Sequence, residues 1–127
     1  MSIIGIGTDI VSIQRIDSVI KTALEKFSVR ILTPGERAIL PQQHKMIVHF
    51  MAKRWAAKEA VSKAFGTGIG KELSFQDIEI QHNEQGAPQV HLSLKAQMLA
   101  ESKGILFWHI SISDETQYAI AYVIASN

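Results

Sequence analysis

Arg54-Trp55-Ala56-Ala57-Lys58-Glu59-Ala60-Val61-Ser62-Lys63-Ala64-Phe65-Gly66-Thr67-Gly68-Ile69-Gly70 reads as a helix running into a glycine loop. Extended back to about residue 45, the stretch is rich in Ala, Lys, Met and Glu. It has no Gly or Pro before Gly66. Propensity therefore predicts the longest helix of the chain over 45–65, with Gly66 at its C-terminus. Glu59 and Lys63 stand at i and i+4 on one face. On a solvated face such a pair contributes only a few tenths of a kcal/mol, roughly. Here Ala56, Ala57, Ala60, Val61 and Ala64 make the surroundings apolar. A carboxylate among small residues, next to a glycine loop, reads as a site.

The loop itself is not a dinucleotide fingerprint, because it follows a helix and lacks the Lys-Ser/Thr of a phosphate-binding P-loop. A helix C-terminus repels phosphate. An anion there must be held by loop N–H groups and by Lys63.

Two further motifs flank this stretch. Gly5-Ile6-Gly7-Thr8-Asp9-Ile10-Val11 lies in an apolar, β-branched segment, residues 2–11, that predicts a strand. Gly5 and Gly7 suggest close packing on another element. Asp9 is the only acid in the first 16 residues. It reads either as a turn residue satisfying local backbone groups or as a metal carboxylate convergent with Glu59. His109-Ile110-Ser111-Ile112-Ser113-Asp114-Glu115 is the third motif, with His109 alternating with two serines along a strand. Two carboxylates, several cations, a glycine loop and a histidine are the parts for Mg²⁺-assisted chemistry on a phosphate ester. No Gly-x-Ser-x-Gly elbow supports Ser-His-Asp hydrolysis through His109 and Asp114. His44, His49, His82 and His91 show no metal-ligand spacing and are read as structural.

The remaining pattern gives an α+β domain. Ser12 caps a helix over 13–26, with Ile13, Ile16, Val19, Ile20, Ala23, Leu24 and Phe27 on its apolar stripe. Residues 29–32 read as a short extended piece. Thr33-Pro34-Gly35-Glu36 is a capping box opening a helix over 34–41, which Pro41 ends. After a turn at 74–77, strands over 78–81 and 89–92 flank a hairpin loop at 83–88. An amphipathic helix over 93–103 closes at Gly104, and strands over 105–113 and 118–125 finish the chain. The expected architecture is a largely antiparallel sheet of about five strands packed with three or four helices.

The 127 residues predict a single domain, 1–127. The absence of Cys excludes a disulfide framework and thiolate metal sites. No signal-peptide pattern and no bilayer-length apolar run is present, so a cytoplasmic protein without a membrane span is expected. The net charge of +1 gives no reason to expect a nucleic-acid partner. Charge is uneven, however: residues 14–63 hold ten of the thirteen Lys/Arg and four of the twelve Asp/Glu. That half suits an acidic partner or a polyphosphate.

In this order and spacing, the three motifs resemble those of the bacterial holo-[acyl-carrier-protein] synthases, over essentially the whole chain. Trp55 stands where an aromatic such as Phe is usual. The resemblance implies the phosphopantetheinyl transferase fold and activity. That activity moves 4′-phosphopantetheine from coenzyme A to a serine of apo acyl carrier protein, releases adenosine 3′,5′-bisphosphate and supports fatty acid biosynthesis. It implies a homotrimer with interfacial active sites. It further implies that Asp9 and Glu59 bind Mg²⁺ and that Lys63 contacts the pyrophosphate. Arg54, His109 and the loop of Gly66, Thr67 and Gly68 would help hold coenzyme A. Catalysis would fall to Asp9, Glu59, Lys63 and His109. The proton of the attacking serine could go to Glu59, Asp9 or a metal-bound water. The helix at 13–26 would dock the acidic carrier, steered by Arg15, Lys21, Lys26 and Arg30.

Two rival readings remain. A binding module for RNA or polyphosphate would use Lys45, Lys53, Arg54, Lys58 and Lys63 but leaves Asp9 and Glu59 unexplained, since carboxylates repel phosphate without a metal. A Mg²⁺-dependent hydrolase of nucleotide pyrophosphates would consume coenzyme A without a carrier.

Overall fold

A computed structural model describes residues 1–127. The elements are β1 (Ile3–Ser12), α1 (Ile13–Ile31), α2 (Pro34–Ala38), α3 (His44–Phe65), β2 (Ile78–His82), β3 (Pro88–Leu92), α4 (Leu94–Ser102), β4 (Phe107–Asp114) and β5 (Tyr118–Ser126). A single 3₁₀ turn at Phe75–Asp77 precedes β2. The α+β class and the count of elements agree with the sequence pattern. All pairing is antiparallel, and the strands divide into a three-stranded sheet, β1-β5-β4, and the separate hairpin β2-β3.

The local signals act as expected at most ends. Ser12 Oγ accepts from the Arg15 N–H, and the Thr33–Glu36 capping box is formed. Gly66 adopts φ 86°, the left-handed conformation that ends α3 and that favours glycine.

Three stretches differ from the sequence pattern. Residues 29–31 are helical, not extended. Ala23, with φ −147° and ψ 39°, breaks α1, and the new helical segment buries Ser28 and Ile31. Val19, expected on the apolar stripe, is exposed. The second helix ends at Ala38, short of 41, because Ile39 leaves the helical region. In α4 only Ala96 and Ala100 are buried, while Leu94 and Met98 face outward.

The core lies between the three-stranded sheet and α3. Val11, Ala119, Ala121, Val123 and Ala125 line the inner sheet face, against Ala56, Ala60, Val61 and Ala64 of α3. Small residues on both sides let the backbones come close. A Cβ on Gly7 would overlap the carbonyl oxygen of Ala60, and one on Gly5 that of Ala64. This is why β1 carries glycines two apart, and it fixes where the next inward residue, Asp9, must fall. The outer sheet face is uncovered and apolar, with Ile6, Ile10, Tyr118, Ile120 and Tyr122 exposed. No helix is long and apolar enough to cross a membrane.

Candidate active site

Asp9 follows Gly5 and Gly7 on the inward face of β1 and so faces α3. There Lys63 Nζ donates to the Thr8 carbonyl at 2.8 Å and lies 3.3 Å from Asp9 Oδ1. The Asp9 side chain is 16% exposed and that of Lys63 51%. Asp9 Oδ2 is buried without a hydrogen-bond partner.

Burial pushes the Asp9 carboxyl above its ordinary value, and Lys63 only partly offsets it. Glu59, one turn before Lys63, is raised as well, first by burial and then by the charge of Asp9. Two desolvated carboxylates thus share one half-exposed ammonium. Such a cluster favours a proton or a cation. Its donors are hard oxygens, the type Mg²⁺ takes together with substrate phosphates and water. The cleft beside them, about 330 Å³, is also lined by Arg15, Phe27 and Trp55. Arg15 therefore opens onto the same space as Asp9 and Glu59. Lys21, Lys26 and Arg30 are exposed further along α1, with Lys21 3.5 Å from Asp17.

The other expected residues are not brought to this point within one chain. His109 projects from the outer face of β4, where Nε2 lies 3.2 Å from Ser126 Oγ. Asp9 is on the inner face of the same sheet. Arg54 is 5% exposed, beneath the β2-β3 hairpin. In the loop, the N–H groups of Gly66 and Gly68 donate to Ser62 and that of Gly70 donates to Leu73. The glycine N–H groups are thus used internally rather than turned to an anion.

A residue pair that the pattern concealed is Glu36 with Lys58. Lys58, 0% exposed, donates to Glu36 Oε1 and the Ile31 carbonyl, both at 2.6 Å, and to the Phe75 carbonyl at 3.0 Å. Glu36 Oε2 accepts from Ile80 N, and Arg54 Nε lies 3.5 Å away. The capping box explained Glu36, and Lys58 looked like one more surface cation. The hint was the position of Lys58, between Ala57 and Val61 on a helix buried on most sides. Its burial also removes it from any polyphosphate-binding face.

Similarity to known proteins extends over nearly the whole chain. A family model described as the 4′-phosphopantetheinyl transferase superfamily matches residues 5–123. The chain is 47% identical over 124 residues to a holo-[acyl-carrier-protein] synthase of Photobacterium profundum, covering 98% of each protein. It superposes with a TM-score of 0.92 and 43% identity on the crystal structure of that enzyme from Neisseria meningitidis, covering 99% of this chain and 100% of the other. The Bacillus anthracis structure in complex with CoA (3′,5′-ADP) gives a TM-score of 0.80 at 40% identity, covering 97% and 96%.

Proposed function

The chain belongs to the 4′-phosphopantetheinyl transferase superfamily, and from that premise we propose that it is a holo-[acyl-carrier-protein] synthase acting as one domain over residues 1–127. It transfers 4′-phosphopantetheine from coenzyme A to a serine hydroxyl of apo acyl carrier protein. The observation that carries the site assignment is that desolvated Asp9 and Glu59 line one cleft together with Arg15, with Lys63 bonded to Asp9 beside it.

In the reaction the serine oxygen bonds to the β-phosphorus. The bond from that phosphorus to the bridging oxygen breaks, and adenosine 3′,5′-bisphosphate leaves with the electron pair. Charge develops on the phosphoryl oxygens, so catalysis is positioning plus electrostatic stabilisation. Asp9 and Glu59 would hold Mg²⁺, whose contribution when bound is to neutralise pyrophosphate charge. Lys63 is exposed enough to turn from Thr8 to the pyrophosphate. Burial raises the proton affinity of both carboxylates in the metal-free protein.

A second copy of the chain completes the site. His109 and Asp9 lie on opposite faces of one sheet, and the face bearing His109 is uncovered and apolar. We assign that face to a homotrimer interface, across which one subunit's His109 approaches another's Asp9 and Glu59. Arg15, Lys21, Lys26 and Arg30 offer an acidic carrier a basic helix leading into the cleft. A holo carrier as product would supply cytoplasmic fatty acid synthesis.

The test is consumption of coenzyme A with and without apo acyl carrier protein, in the presence of Mg²⁺. Consumption that requires the carrier, with mass gain on its serine, is expected. Release of nucleotide without a carrier would make the protein a pyrophosphate hydrolase.

A further inference from the structure

Ser126 ends β5, and it is buried, with 2% of its surface exposed. The end of a terminal strand ordinarily frays. Here it is pinned on both sides. The Leu106 N–H donates to the Ser126 carbonyl at 2.8 Å, and the Asn127 N–H donates to the Ser2 carbonyl at 3.0 Å. The Ser2 N–H donates in return to Asn127 Oδ1 at 2.7 Å. Ser126 is thereby fixed opposite Ile3 of β1 and Phe107 of β4.

His109 of β4 pairs with Ile124, two residues before Ser126. The two-residue period puts Ile124 and Ser126 on one face, so the imidazole and the hydroxyl are diagonal neighbours on the outer side of the sheet. His109 Nε2 lies 3.2 Å from Ser126 Oγ, and this is the single hydrogen bond of either side chain. A buried hydroxyl needs an acceptor for its proton. Nε2 is the one acceptor in reach, so the hydroxyl donates to it. In a neutral imidazole one nitrogen accepts and the other carries the proton. Donation to Nε2 therefore puts the ring proton on Nδ1, which has no partner within the chain.

We propose that Ser126 is a positioning residue for the transfer: it holds the His109 ring in its Nδ1–H tautomer, so that Nδ1 presents a donor to coenzyme A bound at the Asp9 and Glu59 of a neighbouring subunit. This role rests on the transferase reading above, in which His109 serves a site across an interface. The sequence pattern singled out His109 and passed over Ser126, because a serine at the end of a strand carries no motif and its partner is seventeen residues away.

The need for an anchor follows from the ring itself. The terminal torsion of histidine is broad and roughly two-fold, so an exposed ring held by nothing presents either nitrogen. His109 is exposed on its face of the sheet. With Nε2 held, the donor is oriented before substrate arrives, and the cost of ordering the ring is removed from the binding step. Without the hydroxyl, two things change together. The ring turns more freely, and its proton moves towards Nε2, the tautomer that free histidine favours.

The experiment is a double-mutant cycle on the assembled, Mg²⁺-loaded protein with apo acyl carrier protein, reading kcat/KM for coenzyme A. Nitrogen NMR of the neutral imidazole reads the tautomer alongside it. Ser126→Ala should lower kcat/KM about three- to tenfold, the size of one hydrogen bond. Ser126→Thr keeps a hydroxyl on a side chain suited to strands and should recover to within about twofold of wild type. In a His109→Ala background, Ser126→Ala should change kcat/KM less than about twofold, because the partner is already gone. In wild type Nδ1 should carry the ring proton, and in Ser126→Ala the population should move towards Nε2–H. An equal loss with and without the imidazole would overturn the assignment and leave Ser126 a structural residue. A wild-type ring protonated at Nε2 would overturn it too. Absence of carrier-dependent turnover by wild type would instead overturn the transferase reading, and full activity of His109→Ala the part given to His109; the role of Ser126 falls with either.

Discussion

Helix α3 carries two lysine–carboxylate arrangements five residues apart, and they are built to opposite specifications. Around Lys58 the ammonium and the facing carboxylate are fully used. The ammonium makes three hydrogen bonds, and Glu36 accepts from Lys58, Thr33 N and Ile80 N. Around Lys63 little is settled: the ammonium is half exposed, Asp9 Oδ2 has no partner, and Glu59 is raised by burial and by Asp9. The first arrangement ties α1, α2, the 3₁₀ turn and β2 to α3. The second leaves charge uncompensated, ready for a ligand that brings the missing partners. Buried polar groups normally find hydrogen bonds. The knot at Lys58 serves the fold, and the deficit at Asp9 is what the proposed function would use.

The sharpest way to break the contrast is to remove Lys58. Lys58→Met roughly keeps the volume and leaves the buried Glu36 with its two backbone donors and Arg54 as the one cation beside it. Breaking a buried pair on one side costs about 3–5 kcal/mol, so urea denaturation should show a loss of that size with an unchanged slope. A loss below ~1 kcal/mol, the range of an exposed pair, would mean the two lysines are alike after all.

Glu59→Gln should act in the opposite sense. Activity should fall about 10²–10³-fold, if the carboxylate holds the ion that neutralises the transition state. Metal-free stability should rise. A carboxylate whose folded pKa is raised holds its proton more tightly in the folded state. Its favourable contribution is present at low pH and disappears as pH climbs through the ordinary carboxylate range to the raised value. At neutral pH the charge is a cost that Gln removes. Thermal melting should therefore show a higher midpoint for the variant without Mg²⁺, and Mg²⁺ should raise the midpoint of wild type but not of Glu59→Gln. A destabilised variant would show that Glu59 is as well satisfied as Glu36.

Lys63→Ala comes next in size. A loss of about 10²-fold in kcat/KM is expected for one cation stabilising the pyrophosphate. Lys63→Arg should recover only part, because a planar guanidinium does not replace a compact ammonium. The melting midpoint should barely move, in contrast to Lys58→Met.

Much of this was legible in the sequence, and the exceptions share a cause. The close packing signalled by the glycines of β1 and the caps at Ser12, Thr33 and Gly66 follow from local rules, because each depends on residues close in sequence or on the two-residue period of a strand, whereas the convergence of Asp9 with Glu59 was left open by the pattern and came from the family resemblance. The extended reading of 29–32 failed. The apolar stripe of Ile13, Ile16, Ile20, Leu24, Phe27 and Ile31 runs on through the non-helical residue at Ala23, so the period reached further than the helix end assigned at 26. Lys58 was illegible because its partners, Ile31, Glu36 and Phe75, come from three other segments. The two-sheet division escaped for the same reason, since alternation marks strands but not which edges they share. His109 was singled out correctly as a strand residue, but a one-dimensional pattern does not say that its face of the sheet is turned away from Asp9.

The smallest effect concerns the carrier and tests whether the open arrangement extends onto α1. Arg15 borders the cleft of Asp9 and Glu59, while Lys21, Lys26 and Arg30 stand exposed along the helix beyond it. If this surface steers an acidic carrier, its charge acts mainly on association. Arg15→Glu should raise the KM for carrier several-fold at low salt and leave the KM for coenzyme A nearly unchanged. The Debye length falls from ~10 Å at 0.1 M to ~3 Å at 1 M, so wild type and variant should converge as salt rises. Arg15 should also matter more than Arg30, because it faces the site itself while Arg30 lies past the break at Ala23. Measuring carrier KM against ionic strength for Arg15→Glu and Arg30→Glu separates the cases. Curves parallel to wild type at every salt concentration would take α1 out of the docking surface and confine the open arrangement to the immediate neighbourhood of Lys63.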